Sequence, residues 1–154
     1  MDGDWERLVS FAAAIGVTFE FSDELDPKHP GDYCDHTRHI RILAGMGQVK
    51  TNSTFAHELG HAALRHVTSM FAWLDARQER QADGWAAHFL IDAEEYRLAE
   101  EKYGSNTKWI AQELGVLERL VVAYERTLNR LGETIYVGPK MGVGQYTARL
   151  EVVA

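Results

Sequence analysis

Apolar residues open the chain at helical spacing. Trp5, Leu8, Phe11, Ala12 and Ile15 fall on one face, Asp4 precedes them as a candidate N-cap, and Gly16 stands where such a helix would stop. The period then changes: Val17, Phe19 and Phe21 alternate with Thr18 and Glu20, the rhythm of a half-buried strand. Pro27, Pro30 and Gly31 interrupt residues 22–32, which predicts an exposed loop. Residues 39–43, His-Ile-Arg-Ile-Leu, predict a second strand, followed by the flexible run Ala44-Gly45-Met46-Gly47. A helix should come next and carry residues 57–61, with Thr51, Asn52 and Ser53 each able to cap it.

Met70, Phe71, Trp73 and Leu74 give the following linker enough apolar surface that it should pack. A helix is predicted over 77–91, resuming beyond Asp92 and broken at Gly104-Ser105-Asn106. Two more are predicted over 107–114 and 116–131, split at Gly115. β-forming residues at 134–137 and 146–153, around Gly138-Pro139 and residues 142–144, predict a hairpin. There is no internal repeat, low-complexity segment or domain boundary. Helix, strands, then mostly helices predicts one α+β domain over 1–154, with a short N-terminal sheet packed on the helix carrying residues 57–61.

Bulk properties narrow the class. At 154 residues, 45% hydrophobic and 25% charged, the chain suits one globular domain with a sizeable core. Its net charge of -7 argues against nonspecific binding to nucleic acid or anionic lipid. Cys34 is the one cysteine, so no intrachain disulfide forms, and a free, partly buried thiol in a reducing compartment is expected. The start, Met-Asp-Gly-Asp-Trp-Glu, is acidic where a signal peptide is basic and then apolar. No apolar run approaches the roughly 20 residues of a membrane span. A cytoplasmic protein without membrane association is the expectation.

The chemistry centres on His57-Glu58-Leu59-Gly60-His61. Histidines four apart on a helix lie about 40° apart around its axis, so both imidazoles can reach one metal ion. Glu58 lies beside them, placed to serve a metal-bound water as general base. A catalytic zinc site takes three protein ligands and keeps a position open. Candidates for the third are His66, Asp75, Glu79, Asp83 and His88. Glu79 and Asp83 fall on or beside the apolar stripe of Ala82, Ala86, Phe89 and Leu90, and carboxylates rarely enter a core unless paired or metal-bound. Glu79 is therefore expected as the third ligand, with Asp83 accepting from a ring N–H of a ligating histidine. The competing reading pairs both acids with Arg77 or Arg80 on a solvated face. His66 is expected off the site, about 140° around the helix from His61. His88, about 13 Å along its helix from Glu79, is expected at the surface or in packing.

The pair of motifs, His57–His61 and then Glu79-Arg-Gln-Ala82-Asp83-Gly-Trp-Ala86-Ala87-His-Phe-Leu90, resembles the ImmA/IrrE family of metallopeptidases. The resemblance extends to Gly16-Val17, Gly31-Asp32-Tyr33, Ile40-Arg41-Ile42, Phe55-Ala56, the run from Ile110 to Val116, and Arg126, covering about residues 5–131. The proline that usually follows the leucine run is absent at Leu90-Ile91-Asp92. The resemblance implies a gluzincin-type zinc endopeptidase, often encoded by phages or mobile elements or acting in stress responses. Its protein substrate would be a helix-turn-helix transcriptional repressor, inactivated by cleavage.

Other roles remain open. His36, His39, Tyr33 and Tyr146 are candidates to stabilise the oxyanion, and residues 39–43 are either a substrate-binding sheet edge or an internal strand. Cys34, near His36 and His39, could join a second metal site. Ile110-Ala111, Gly115-Val116, Val121-Val122 and Leu128 have helix-turn-helix spacing, which gives a DNA-binding alternative. The balanced Glu118, Arg119, Glu125 and Arg126 make a poor phosphate surface. A non-catalytic relative that sequesters a partner is the third reading, and the intact His57, His61, Glu79 and Glu58 argue against it.

Overall fold

The computed structural model describes residues 3–130, 135–137 and 151–152. Helix α1 spans Gly3–Ala14 and buries Leu8 and Ala12, with Trp5, Phe11 and Ile15 partly covered. Asp4 lies in its first turn, inside the helix rather than at the cap position expected for it. Gly16, at φ 72°, ends the helix. The Val17 N–H returns to the Ala12 carbonyl at 2.9 Å, the Schellman closure that favours glycine at the left-handed position.

Three strands follow: β1 (Thr18–Ser22), β2 (Gly31–Cys34) and β3 (His39–Leu43). The sheet order is β1-β3-β2, with β1 parallel and β2 antiparallel to β3. β3 is therefore internal, with Ile40 and Ile42 fully buried, and it has no edge to offer a peptide. β2 begins inside the predicted 22–32 loop; Gly31 and Asp32 pair with Ile42 and Arg41. Two Pro residues and a Gly outweigh a four-residue strand in any local reading, and its partner supplies the register.

Helix α2 (Gln48–Ala63) packs on this sheet through Phe55, Ala56 and Leu59. It starts from an extended Gly47, a turn earlier than its three candidate caps, which lie within it. Trp5 and Phe19 close on Phe55, with centroids 5.3 and 4.7 Å away. Helix α3 (Ala72–Leu90) lies along α2 and begins five residues before the predicted start. Asp92 caps α4 (Ala93–Tyr103) by accepting from the Glu94 and Glu95 N–H groups. Asn106 caps α5 (Thr107–Leu114), Gly115 ends it in the left-handed region, and α6 (Glu118–Thr127) packs against α3. The small second sheet pairs β5 (Ile135–Val137) with β4 (Asn129–Arg130) and β6 (Glu151–Val152), all antiparallel. The rest of the expected hairpin lies outside the described residues, as does Tyr146. The architecture is the expected mostly helical α+β domain.

The segment after α2 departs from expectation. Val67, Met70, Phe71 and Trp73 are 61, 90, 53 and 64% exposed, so this apolar run faces outward instead of packing.

Candidate metal centre

Gly60 sets the spacing of the two helices that build the site. A Cβ there would lie 2.9 Å from the Ala82 carbonyl oxygen and 3.1 Å from its Cα. These are backbone atoms and cannot rotate away, so α3 lies this close to α2 only over a residue without a side chain. The close approach carries Glu79, just under one turn before Ala82, across the two histidines.

His57 and His61 face one another through Nε2 atoms 3.1 Å apart. Glu79 Oε2 is 3.1 Å from His57 Nε2, and Glu79 Oε1 is 3.1 Å from His61 Nε2. Among the described residues these three form the one His/Cys/Asp/Glu group able to hold a metal, with ligand atoms within 4.8 Å of one another. The distances can be tested against an ion. A tetrahedral zinc with bonds of about 2.0–2.1 Å has ligand–ligand edges of roughly 3.3 Å. Three donor separations of 3.1 Å match that figure, and two imidazoles with a carboxylate are a donor set zinc takes. The group fits.

The acids around the cluster favour positive charge there. Burial alone would push the His57 pKa down, but hydrogen bonds to Asp83 and Glu79 and the charge of Glu58 reverse this, lifting the metal-free imidazole to about 9. The Glu79 carboxyl is held far below its usual range by hydrogen bonds to His57 and His61, against the opposing effect of burial. Glu58, 6% exposed, is pushed up by burial, with the histidines pulling the other way. Its seat depends on Gly31 in β2, where a Cβ would come 2.9 Å from Glu58 Oε1 and 2.7 Å from Thr54 Cγ2.

Each histidine is also held from behind. His57 Nδ1 donates to Asp83 Oδ1 at 2.8 Å, and Arg119 Nε donates to the same oxygen at 3.3 Å. His61 Nδ1 lies 2.9 Å from His66 Nδ1. This corrects the placement of His66 away from the site. The Arg65 backbone is left-handed, at φ 55°. The turn folds back so that the His66 N–H reaches the His61 carbonyl at 2.9 Å. Helical arithmetic fails there because the helix has ended.

The cleft around the cluster has a volume of about 660 Å³ and is walled by the loop before β2, by β2, by α2 and α3, by the residues after α2, and by Arg119 of α6. Of the oxyanion candidates among the described residues only Tyr33 lines it, and its hydroxyl is engaged by Asp35 at 2.6 Å and Arg38 at 2.7 Å. His39 pairs with Thr18 and Glu20, while His36 is exposed away from the cleft. Asp75 borders the cleft but accepts from the Ser69 N–H. His88 Nε2 reaches Thr127 Oγ1 at 2.6 Å, a packing role. Cys34 is exposed, not partly buried, and joins no metal group among the described residues. Sequence reasoning missed the roles of His66, Gly31, Gly60 and Arg119. The glycines left no periodic signal, and Arg119 was weighed only as a phosphate contact.

A helical α+β domain whose paired helices present two histidines, a glutamate and a buried glutamate beside them is a metallopeptidase-type domain. The chain belongs to the Peptidase_M78 family, whose IrrE N-terminal-like domain matches residues 12–124. No curated protein matches it. A Mycobacterium tuberculosis transcriptional regulator has a similar structure, with a TM-score of 0.60 at 15% identity. The similarity covers 87% of this chain and 44% of that protein, so this chain spans under half the length of its structural neighbour. Among the described residues no helix is long and apolar enough to cross a membrane.

Proposed function

We propose that this chain is a zinc-dependent endopeptidase that cleaves a protein substrate, a helix-turn-helix transcriptional repressor of a phage, mobile element or stress response. The observation that carries the reading is the three-cornered His57, His61 and Glu79 group, with Glu58 buried beside it. Bound zinc supplies a Lewis acid and lowers the pKa of its water from 15.7 to about 7. Glu58 takes a proton from the attacking water and returns it to the leaving amine; burial suits it to hold that proton in between. Asp83 fixes the orientation of His57.

Since β3 is internal, an extended substrate would add to the outer edge of β2, beside Gly31 and Asp32 at the cleft. The exposed apolar run after α2 borders the same cleft through Val67, which suits a protein substrate better than a small polar one. The DNA-binding alternative is weakened by α6, whose Arg119 turns into the cleft toward Asp83 and whose Glu125 accepts from Tyr96 at 2.7 Å. A cytoplasmic setting with a reduced Cys34 belongs to the same proposal.

The test is incubation of the zinc-loaded protein with the repressor encoded beside it, against a chelator control and Glu58→Gln. The expected result is cleavage lost with chelator, and lost in Glu58→Gln even though zinc stays bound. Cleavage undiminished in Glu58→Gln would remove Glu58 from the mechanism.

A further inference from the structure

Three helices end in the same backbone turn, and one of them breaks its rule. After α1 and α5 the left-handed residue is Gly16 or Gly115, and the next N–H returns to the carbonyl of Ala12 or Ala111. After α2 the left-handed position is Arg65, φ 55°, a conformation that costs a non-glycine residue on the order of 1 kcal/mol or more. Asp35 holds the Arg65 guanidinium, with Nε at 2.9 Å. This turn delivers His66 to His61.

Without a cation on its Nε2, His61 donates from Nε2–H to Glu79; with a cation on that lone pair, it carries its proton on Nδ1 and donates from there. His66 Nδ1, 2.9 Å away, must accept, which leaves the His66 proton on Nε2. That nitrogen lies 3.0 Å from Gln81 Oε1, an acceptor. A relay of three side chains thus runs from the cluster to exposed Gln81 on α3.

We propose that His66, held in one tautomer by Gln81, is a positioning residue that aims His61 Nε2 at the metal, as Asp83 does for His57. The two ligand histidines are therefore backed by different chemistry, a carboxylate behind one and a neutral imidazole behind the other. The inference rests on the cluster being a metal site.

Zinc affinity of the full-length chain, measured by competition with a chromophoric chelator, tests it. His66→Phe keeps the ring and removes the acceptor, and should weaken zinc binding about 10- to 100-fold. His66→Asn, whose amide oxygen can take the place of Nδ1, should recover most of that loss. Gln81→Leu, on the surface and no threat to folding, should give a smaller loss, and in cobalt-loaded protein both weakened variants should shift the visible spectrum. Wild-type affinity in both His66→Phe and Gln81→Leu overturns the inference, as does a His66→Phe loss that His66→Asn fails to recover. A wild-type chain that holds no zinc fails the metal reading and this inference together, whereas tight wild-type binding with unaffected variants fails this inference alone.

Discussion

A methyl group added at Gly31 and one added at Gly60 would strike different targets. At Gly31 it meets the side chains of Thr54 and Glu58, and at Gly60 the backbone of Ala82. Gly31→Ala should leave the fold and zinc binding intact but push Glu58 aside. A misplacement near 1 Å costs on the order of 100-fold in rate, so hydrolysis should fall by about that much at unchanged zinc content. Gly60→Ala should separate α2 from α3 and weaken zinc binding and thermal stability together. Parallel metal analysis, melting curves and hydrolysis rates on the two variants check this pairing, and a Gly31→Ala enzyme at full activity would contradict it. At this scale the sequence was legible wherever helical spacing held. His57 with His61, and Glu79 with Asp83, could be singled out as candidates because each pair shares a helix. His66 was lost because a left-handed residue lies between it and His61, and no spacing rule crosses such a turn.

Among the elements, one side chain ties the sheet to two helix ends. Arg38 donates to the Ile15 carbonyl after α1 at 2.8 Å and to the Ala62 carbonyl in α2 at 2.9 Å, and also to the Tyr33 hydroxyl in β2. Arg38→Ala strips these carbonyls of their charged donor, and should lower stability by about 2–3 kcal/mol. Urea unfolding measures this, and an unchanged midpoint would count against the clamp. β1, β3 and the helices were readable because each has its own period. β2 was not, since its four residues form a strand only against β3. The start of α2 was misread for a related reason. Ser53 offers its hydroxyl not to its own helix but to the Leu117 N–H at 3.2 Å, a partner 64 positions away.

For the whole molecule, His88 gives acid sensitivity a location. Burial pushes its pKa down to about 4, while the unfolded chain has the ordinary value near 6.5. Between those values the unfolded state binds the proton and the folded state does not. Stability is therefore complete above about pH 6.5 and is lost as pH falls toward 4, by up to roughly 3 kcal/mol. His88→Gln should flatten this part of the stability profile relative to wild type, as denaturant midpoints at pH 7 and pH 4.5 would show; parallel profiles would refute it. The molecule also keeps Val67, Met70, Phe71 and Trp73 exposed next to its cleft, which local hydropathy could only read as a packing segment. The account as a whole rests on three donor atoms enclosing one cation. Zinc titration of wild type and Glu79→Ala measures that most directly. One equivalent bound tightly by wild type, with affinity collapsing in the variant, is the expected result, and equal affinity in the two proteins would contradict the account.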